Sequence, residues 1–78
     1  MYNLQQINRT RAKNGGVVST VYLGEYENIQ PYETALIDIR GNTEEVERYD
    51  TVKEAQEGHE RWVRSMGGKA FFQDGKGW

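Results

Sequence analysis

A length of 78 residues, 36% hydrophobic content, no cysteine and a net charge of −2 describe one small domain. A chain this short buries only roughly 60–65% of the surface that its unfolded form exposes, so its stability is marginal. Without cysteine, disulfides and thiolate metal sites are excluded, and an efficient β-rich core or self-association must supply the stability instead.

In chain order, residues 6–13 read as a polar edge strand, guarded against unwanted pairing by Arg9, Arg11 and Lys13. Lys13-Asn14-Gly15-Gly16 is a hairpin signal, because Asn-Gly accepts the positive φ angles of a type I′ turn. A two-residue loop at Asn14-Gly15 places Ala12 opposite Val17, Thr10 opposite Ser19 and Arg9 opposite Thr20. Residues 17–23 alternate as a second strand, with Val17, Ser19, Val21 and Leu23 on one face and Val18, Thr20 and Tyr22 on the other. Residues 24–31, with the only proline, read as an exposed loop. Residues 32–39 form a third strand, in which Ala35, Ile37 and Ile39 share a face against Thr34, Leu36 and Asp38. Gly41-Asn42 turns the chain into a charged fourth strand, residues 44–49.

A helix follows, from about Thr51 to Met66. Thr51 and Glu54 stand at capping-box spacing, where hydroxyl and carboxylate satisfy orphan backbone N–H groups. Val52, Ala55, His59, Trp62, Val63 and Met66 then make one apolar stripe of helical period. Glutamates load its start and Arg61 and Arg64 its end, and Gly67-Gly68 is a left-handed stop. Gly58 costs about 1 kcal/mol against Ala in mid-helix, which implies close backbone packing there. The fold class is α+β: a four-stranded antiparallel meander, β-β-β-β-α, with one C-terminal helix on one sheet face. Residues 1–67 form that domain. Residues 68–78 form a Gly/aromatic tail whose Phe71, Phe72 and Trp78 either fold back on the open sheet face or dock on a partner or second copy.

Little in the chain invites chemistry. No catalytic residue, metal site or cofactor is expected. The single histidine, His59, lies on the helical stripe and reads as a packed core residue bonded to a backbone or Tyr partner. The many carboxylates look like solvated faces, and 78 residues leave little volume for an acid/base pocket. No phosphate-cradling glycine motif is present. No apolar run approaches the roughly 18–20 residues that span a bilayer, and the first residues lack the pattern of a secretory signal. A cytoplasmic protein without membrane contact is expected.

Function is therefore sought in surfaces. Residues 1–24 carry a charge of +3, residues 25–60 carry −8 and residues 61–78 carry +3. Arg9 and Arg11 are expected beside Val18, Thr20 and Tyr22 on the face away from the helix, where Arg9, Arg11 and Tyr22 make a candidate ligand site. The acidic segment offers a second surface, with Glu25, Glu27, Glu44, Glu45 and Glu47 as its candidates and an extension through Asp50 to the helix start. A dense negative face suits a basic groove on another protein, with salt-sensitive affinity.

The order of motifs is informative. Val18-Ser19-Thr20-Val21-Tyr22-Leu23-Gly24, Tyr32-Glu33-Thr34, Glu47-Arg48-Tyr49-Asp50-Thr51 and Glu54-Ala55-Gln56-Glu57-Gly58-His59 together resemble a group of small bacteriophage and prophage proteins. The resemblance covers about residues 17–60. Members of the group often carry an Asp-His loop with glycines and prolines after the first of these strands, where this chain has Glu25-Tyr26-Glu27-Asn28. The resemblance implies an accessory factor made in the host cell, and it assigns no role to any residue. The leading expectation is a non-catalytic inhibitor of a host protein, of the anti-defence or anti-CRISPR-like kind. The alternatives are a homo-oligomeric sponge for a signalling nucleotide, a nucleic-acid binder, which the net negative charge argues against, and a virion-assembly component.

Overall fold

A computed structural model of the chain describes residues 5–13, 15–25 and 27–67. The expectation for Phe71, Phe72 and Trp78 falls outside them. Four strands, β1 (Gln5–Arg11), β2 (Val17–Tyr22), β3 (Tyr32–Ile37) and β4 (Thr43–Tyr49), precede one helix, α1 (Val52–Gly67). The strands pair antiparallel in the order β1-β2-β3-β4, the expected meander, and α1 packs on the sheet.

The two tight hairpins close in the same way. The Ala12 N–H donates to Gly16 O at 2.7 Å and the Gly15 N–H to Ala12 O at 3.0 Å. The Asp38 N–H donates to Asn42 O at 2.9 Å and the Gly41 N–H to Asp38 O at 2.9 Å. Gly15 and Gly41 take φ of 93° and 91°, the left-handed position that ends a three-residue loop. Asp38 reinforces the second turn by accepting from the backbone N–H groups of Arg40 and Asn42 and from Asn42 Nδ2.

The first loop is thus one residue longer than the Asn14-Gly15 turn expected from the sequence, and the register changes accordingly. Arg11 lies opposite Val17, Thr10 opposite Val18 and Arg9 opposite Ser19. A slip of one residue turns the β1 side chains from Asn8 onward to the other face, while the bulge before Asn8 leaves Gln5 and Gln6 on the faces expected of them. Thr10 and Ala12 therefore join the helix side, while Arg9 and Arg11 share a face with Ser19 and Val17. Each edge strand also holds one bulge: β1 shifts between Gln6 and Asn8, and β4 between the partners of Thr34 and Ala35. Bulged, charged edges resist further strand pairing.

The helix covers the Val18–Thr20 face of the sheet. Val18, Leu36 and Met66 are fully buried and touch Ala12, with Val46, Trp62 and Val63 packed around them. The most apolar alternation, Val17–Val21 and Ala35–Ile37, lies on the opposite face. The physical reason is that the helix brings a polar residue, His59, to the sheet, and threonines at 10 and 20 answer it. Of the helical stripe, Ala55, His59 and Met66 are buried and Trp62 and Val63 half-buried, while Val52 is exposed.

The start of α1 is the expected capping box. The Glu54 N–H donates to Thr51 Oγ1 at 3.2 Å, and the Thr51 N–H donates to Glu54 Oε1 at 3.2 Å. Gly58 faces the Tyr49 ring so closely that a Cβ there would overlap the phenol. Among the described residues no helix is long and apolar enough to cross a membrane.

Candidate functional site

His59 stands in a line of hydrogen bonds that runs beneath the helix from β1 to β4. Its Nε2 lies 2.9 Å from Thr10 Oγ1 and its Nδ1 lies 2.7 Å from Thr20 Oγ1. Thr20 Oγ1 is 2.6 Å from Thr34 Oγ1, which is 3.0 Å from the Tyr49 hydroxyl. The Tyr49 hydroxyl lies 3.0 Å from Glu47 Oε1, which also accepts from Trp62 Nε1 at 2.9 Å.

Each hydroxyl has one proton to give, and a carboxylate can only accept. Tyr49 therefore donates to Glu47, Thr34 to Tyr49 and Thr20 to Thr34. That leaves the Nδ1–H of His59 to donate to Thr20, and Nε2 to accept from Thr10. The far end of the line thus sets the histidine tautomer. Burial pushes the His59 pKa below its ordinary value, against a weaker upward pull from Glu60. With both ring nitrogens engaged inside the fold, His59 is the packed residue the sequence suggests, but its partners are two threonines rather than a backbone group or a tyrosine.

The face away from the helix carries the charges. Arg9 and Arg11 lie on its β1 side. On its β3–β4 side one guanidinium serves two carboxylates: Arg48 Nη2 reaches Glu33 Oε2 at 2.9 Å and Arg48 Nε reaches Glu45 Oε2 at 2.6 Å. Arg48 Nη1 also donates to Gln30 O at 3.1 Å, which ties the loop after β2 to β4. The pair of acids is not balanced. Burial, and then the neighbouring Glu45 carboxylate, push the Glu33 pKa up despite Arg48, while the Arg48 hydrogen bond holds Glu45 down. Between these charged ends lie Val17, Ser19, Val21, Ala35 and Ile37.

A third surface is the groove where β4 gives way to α1, lined by Glu47, Arg48, Asp50, Glu54, Glu57 and Arg61. Its two arginines are committed, Arg48 to Glu33 and Glu45, and Arg61 to Glu47 at 3.5 Å. Glu54 is held in the capping box. Asp50 and Glu57 form no ion pair among the described residues, so the groove has a net negative field.

The five acidic candidates do not make one face. Glu44 and Glu45 point to opposite sides of β4, Glu45 joins the Arg48 cluster, and Glu47 ends the buried hydrogen-bonded line. Glu25 accepts from the Tyr22 hydroxyl at 2.9 Å, and Glu27 lies exposed in the same loop. The basic candidates are not assembled either. Tyr22 shares the Thr20 face and leans on Tyr32, with ring centroids 5.0 Å apart, whereas Arg9 and Arg11 lie on the other face. The Glu33–Arg48–Glu45 cluster is invisible in the sequence, because it depends on the β3–β4 register on both sides of a bulge. No family model, no curated protein and no solved structure matches the chain.

Proposed function

We propose that the chain is a phage-type accessory protein that acts in the host cytoplasm without catalysis, inhibiting a host protein of the anti-phage defence kind by occupying a basic surface. The phage context rests on the motif resemblance. The mode of action rests on one observation: at the β4–α1 groove the cations are consumed by internal pairs, and Asp50 and Glu57 are left to face outward. Such a surface attracts basic partners and gives salt-dependent association. The sponge reading draws no support from the arrangement, since Arg9 and Arg11 stand apart from Tyr22.

Affinity capture from bacterial lysate with the wild-type chain and with an Asp50→Lys, Glu57→Lys variant tests this. The expected result is one predominant protein retained by the wild type, released as salt rises and lost with the variant. Equal retention by both chains, or a captured protein that works normally when bound, would remove the proposal. Both side chains are exposed, so the melting temperature of the variant should stay close to that of the wild type.

A further inference from the structure

The open sheet face carries its charges at matching heights. One transverse row reads Arg9–Ser19–Ala35–Glu45 from β1 to β4, each residue directly opposite the next. A guanidinium without a carboxylate partner among the described residues sits at one end. At the other end are two carboxylates, Glu45 and Glu33, that share a single arginine. Between them Ser19 and Ala35 are small; Ser19 and Val17 are already buried by their neighbours, with the Gln6 amide on Ser19 Oγ at 3.2 Å, and the half-buried Val21 and Ile37 flank the row.

We propose that this face is a self-complementary docking surface for a second copy of the chain, packed sheet to sheet about a two-fold axis parallel to the strands. Such an axis keeps a residue's height along the strand and exchanges left for right, so β1 of one copy lies over β4 of the other. Arg9 of each copy then meets Glu45 and Glu33 of its partner. Two excess carboxylates gain a cation and two lone guanidinium groups gain an anion, in one symmetric step. The half-buried Val21, Ala35 and Ile37 supply the apolar contact expected of aligned sheet packing. A cationic segment folding back from the same chain would answer the acids but leave Arg9 unpaired. Only a second copy answers both ends of the row. Self-association is also one of the routes by which a cysteine-free chain of this length adds to a marginal stability. The surface lies on the opposite side of the sheet from the helix and uses neither Asp50 nor Glu57, but it shares Arg48 with the partner-binding groove. The Arg9 variants, which leave that groove untouched, separate the two.

Sedimentation equilibrium of the full chain, from low to high micromolar concentration, provides the test. A monomer–dimer equilibrium that weakens with salt is expected. Arg9→Glu alone and Glu45→Arg alone should each weaken it about tenfold or more. The double variant Arg9→Glu, Glu45→Arg should recover it, because each copy then offers the reversed pair. Circular dichroism melts confirm that all three variants fold; if Glu45→Arg fails to do so, Arg9→Glu paired with Glu33→Arg serves as the exchange. A chain that stays monomeric throughout overturns the proposal, as does a dimer that ignores both single substitutions. A chain that dimerises only after Phe71→Ser and Phe72→Ser also overturns it, because the tail is then the occupant of the face.

Discussion

The two faces of the sheet solve opposite problems. The helix side buries polar groups, Thr20, Thr34 and His59, and satisfies them completely with one another, ending the line on a carboxylate at the rim. The open side is lined by valine, alanine and isoleucine, yet its charges are left out of balance. A closed, self-satisfied face specifies how the chain folds, while an unbalanced one specifies what the chain can meet. The helix side thus joins a buried polar line to the Val18–Leu36–Met66 core, while the other side sets half-buried apolar residues between charged ends.

The comparison predicts that the helix side tolerates no added volume. Gly58→Ala places a methyl group inside the Tyr49 ring, which must swing away and abandon Thr34 and Glu47. A loss of about 3 kcal/mol or more is expected in urea unfolding, well beyond the helix-propensity gain of about 1 kcal/mol. Ala35→Ser on the open face should change stability by less than about 0.5 kcal/mol. Equal costs at the two sites would erase the distinction between the faces.

A smaller effect probes the polar line itself. Thr20→Val keeps the shape of the side chain but removes the hydroxyl that joins Thr34 to His59. Two buried groups lose a partner, at a cost of about 2 kcal/mol. Ser19→Ala, the neighbouring hydroxyl on the other face, only loses a 3.2 Å contact from Gln6, whose amide keeps Asn8 O and Thr20 O. It should cost about 0.5 kcal/mol. Nitrogen-15 spectra of wild-type His59 should show the proton on Nδ1, and a ring protonated on Nε2 would contradict the direction of the line.

Much of this architecture is legible in the residues. The capping box, the helical stripe, the four strands and the close approach at Gly58 follow from period, spacing and side-chain chemistry. What the residues hide is parity. Asn14-Gly15-Gly16 is compatible with a two- or a three-residue loop, and the choice decides which face of β1 carries its arginines. The helix-facing side of β2 was concealed for a different reason: Val18 and Thr20 look less apolar than Val17 and Val21, and only a histidine on the facing helix makes threonine the better core residue. Two such one-residue displacements leave Arg9 and Arg11 on the open face but give them new neighbours. Sites built from residues far apart in the chain inherit every error of register, which is why the Arg48 cluster had no signal in the sequence while the capping box was plain.

The smallest effect sets His59 on the helix side against Glu33 on the open side by the sign of their response to acid. Glu45, held down by Arg48, loses its contribution only below the ordinary carboxylate range. On the helix side the His59 pKa is depressed by burial, so the unfolded chain binds the proton more readily than the native one. Its contribution to stability is intact above the unfolded value of about 6.5 and is lost as pH falls below it. On the open side the Glu33 pKa is raised by burial and by Glu45, so the native state is the better proton acceptor. Protonation there adds stability as pH falls through the raised value towards the ordinary carboxylate range. Wild-type urea midpoints should therefore decline from pH 7 to 6, and the decline should ease at lower pH as Glu33 takes up its proton. Glu33→Gln removes the second contribution while leaving the first, so this variant should be the more stable near neutrality and lose more on acidification. Parallel pH profiles for Glu33→Gln and wild type would mean that the two carboxylates on the open face do not compete for Arg48, and the charge imbalance that distinguishes that face would disappear with them.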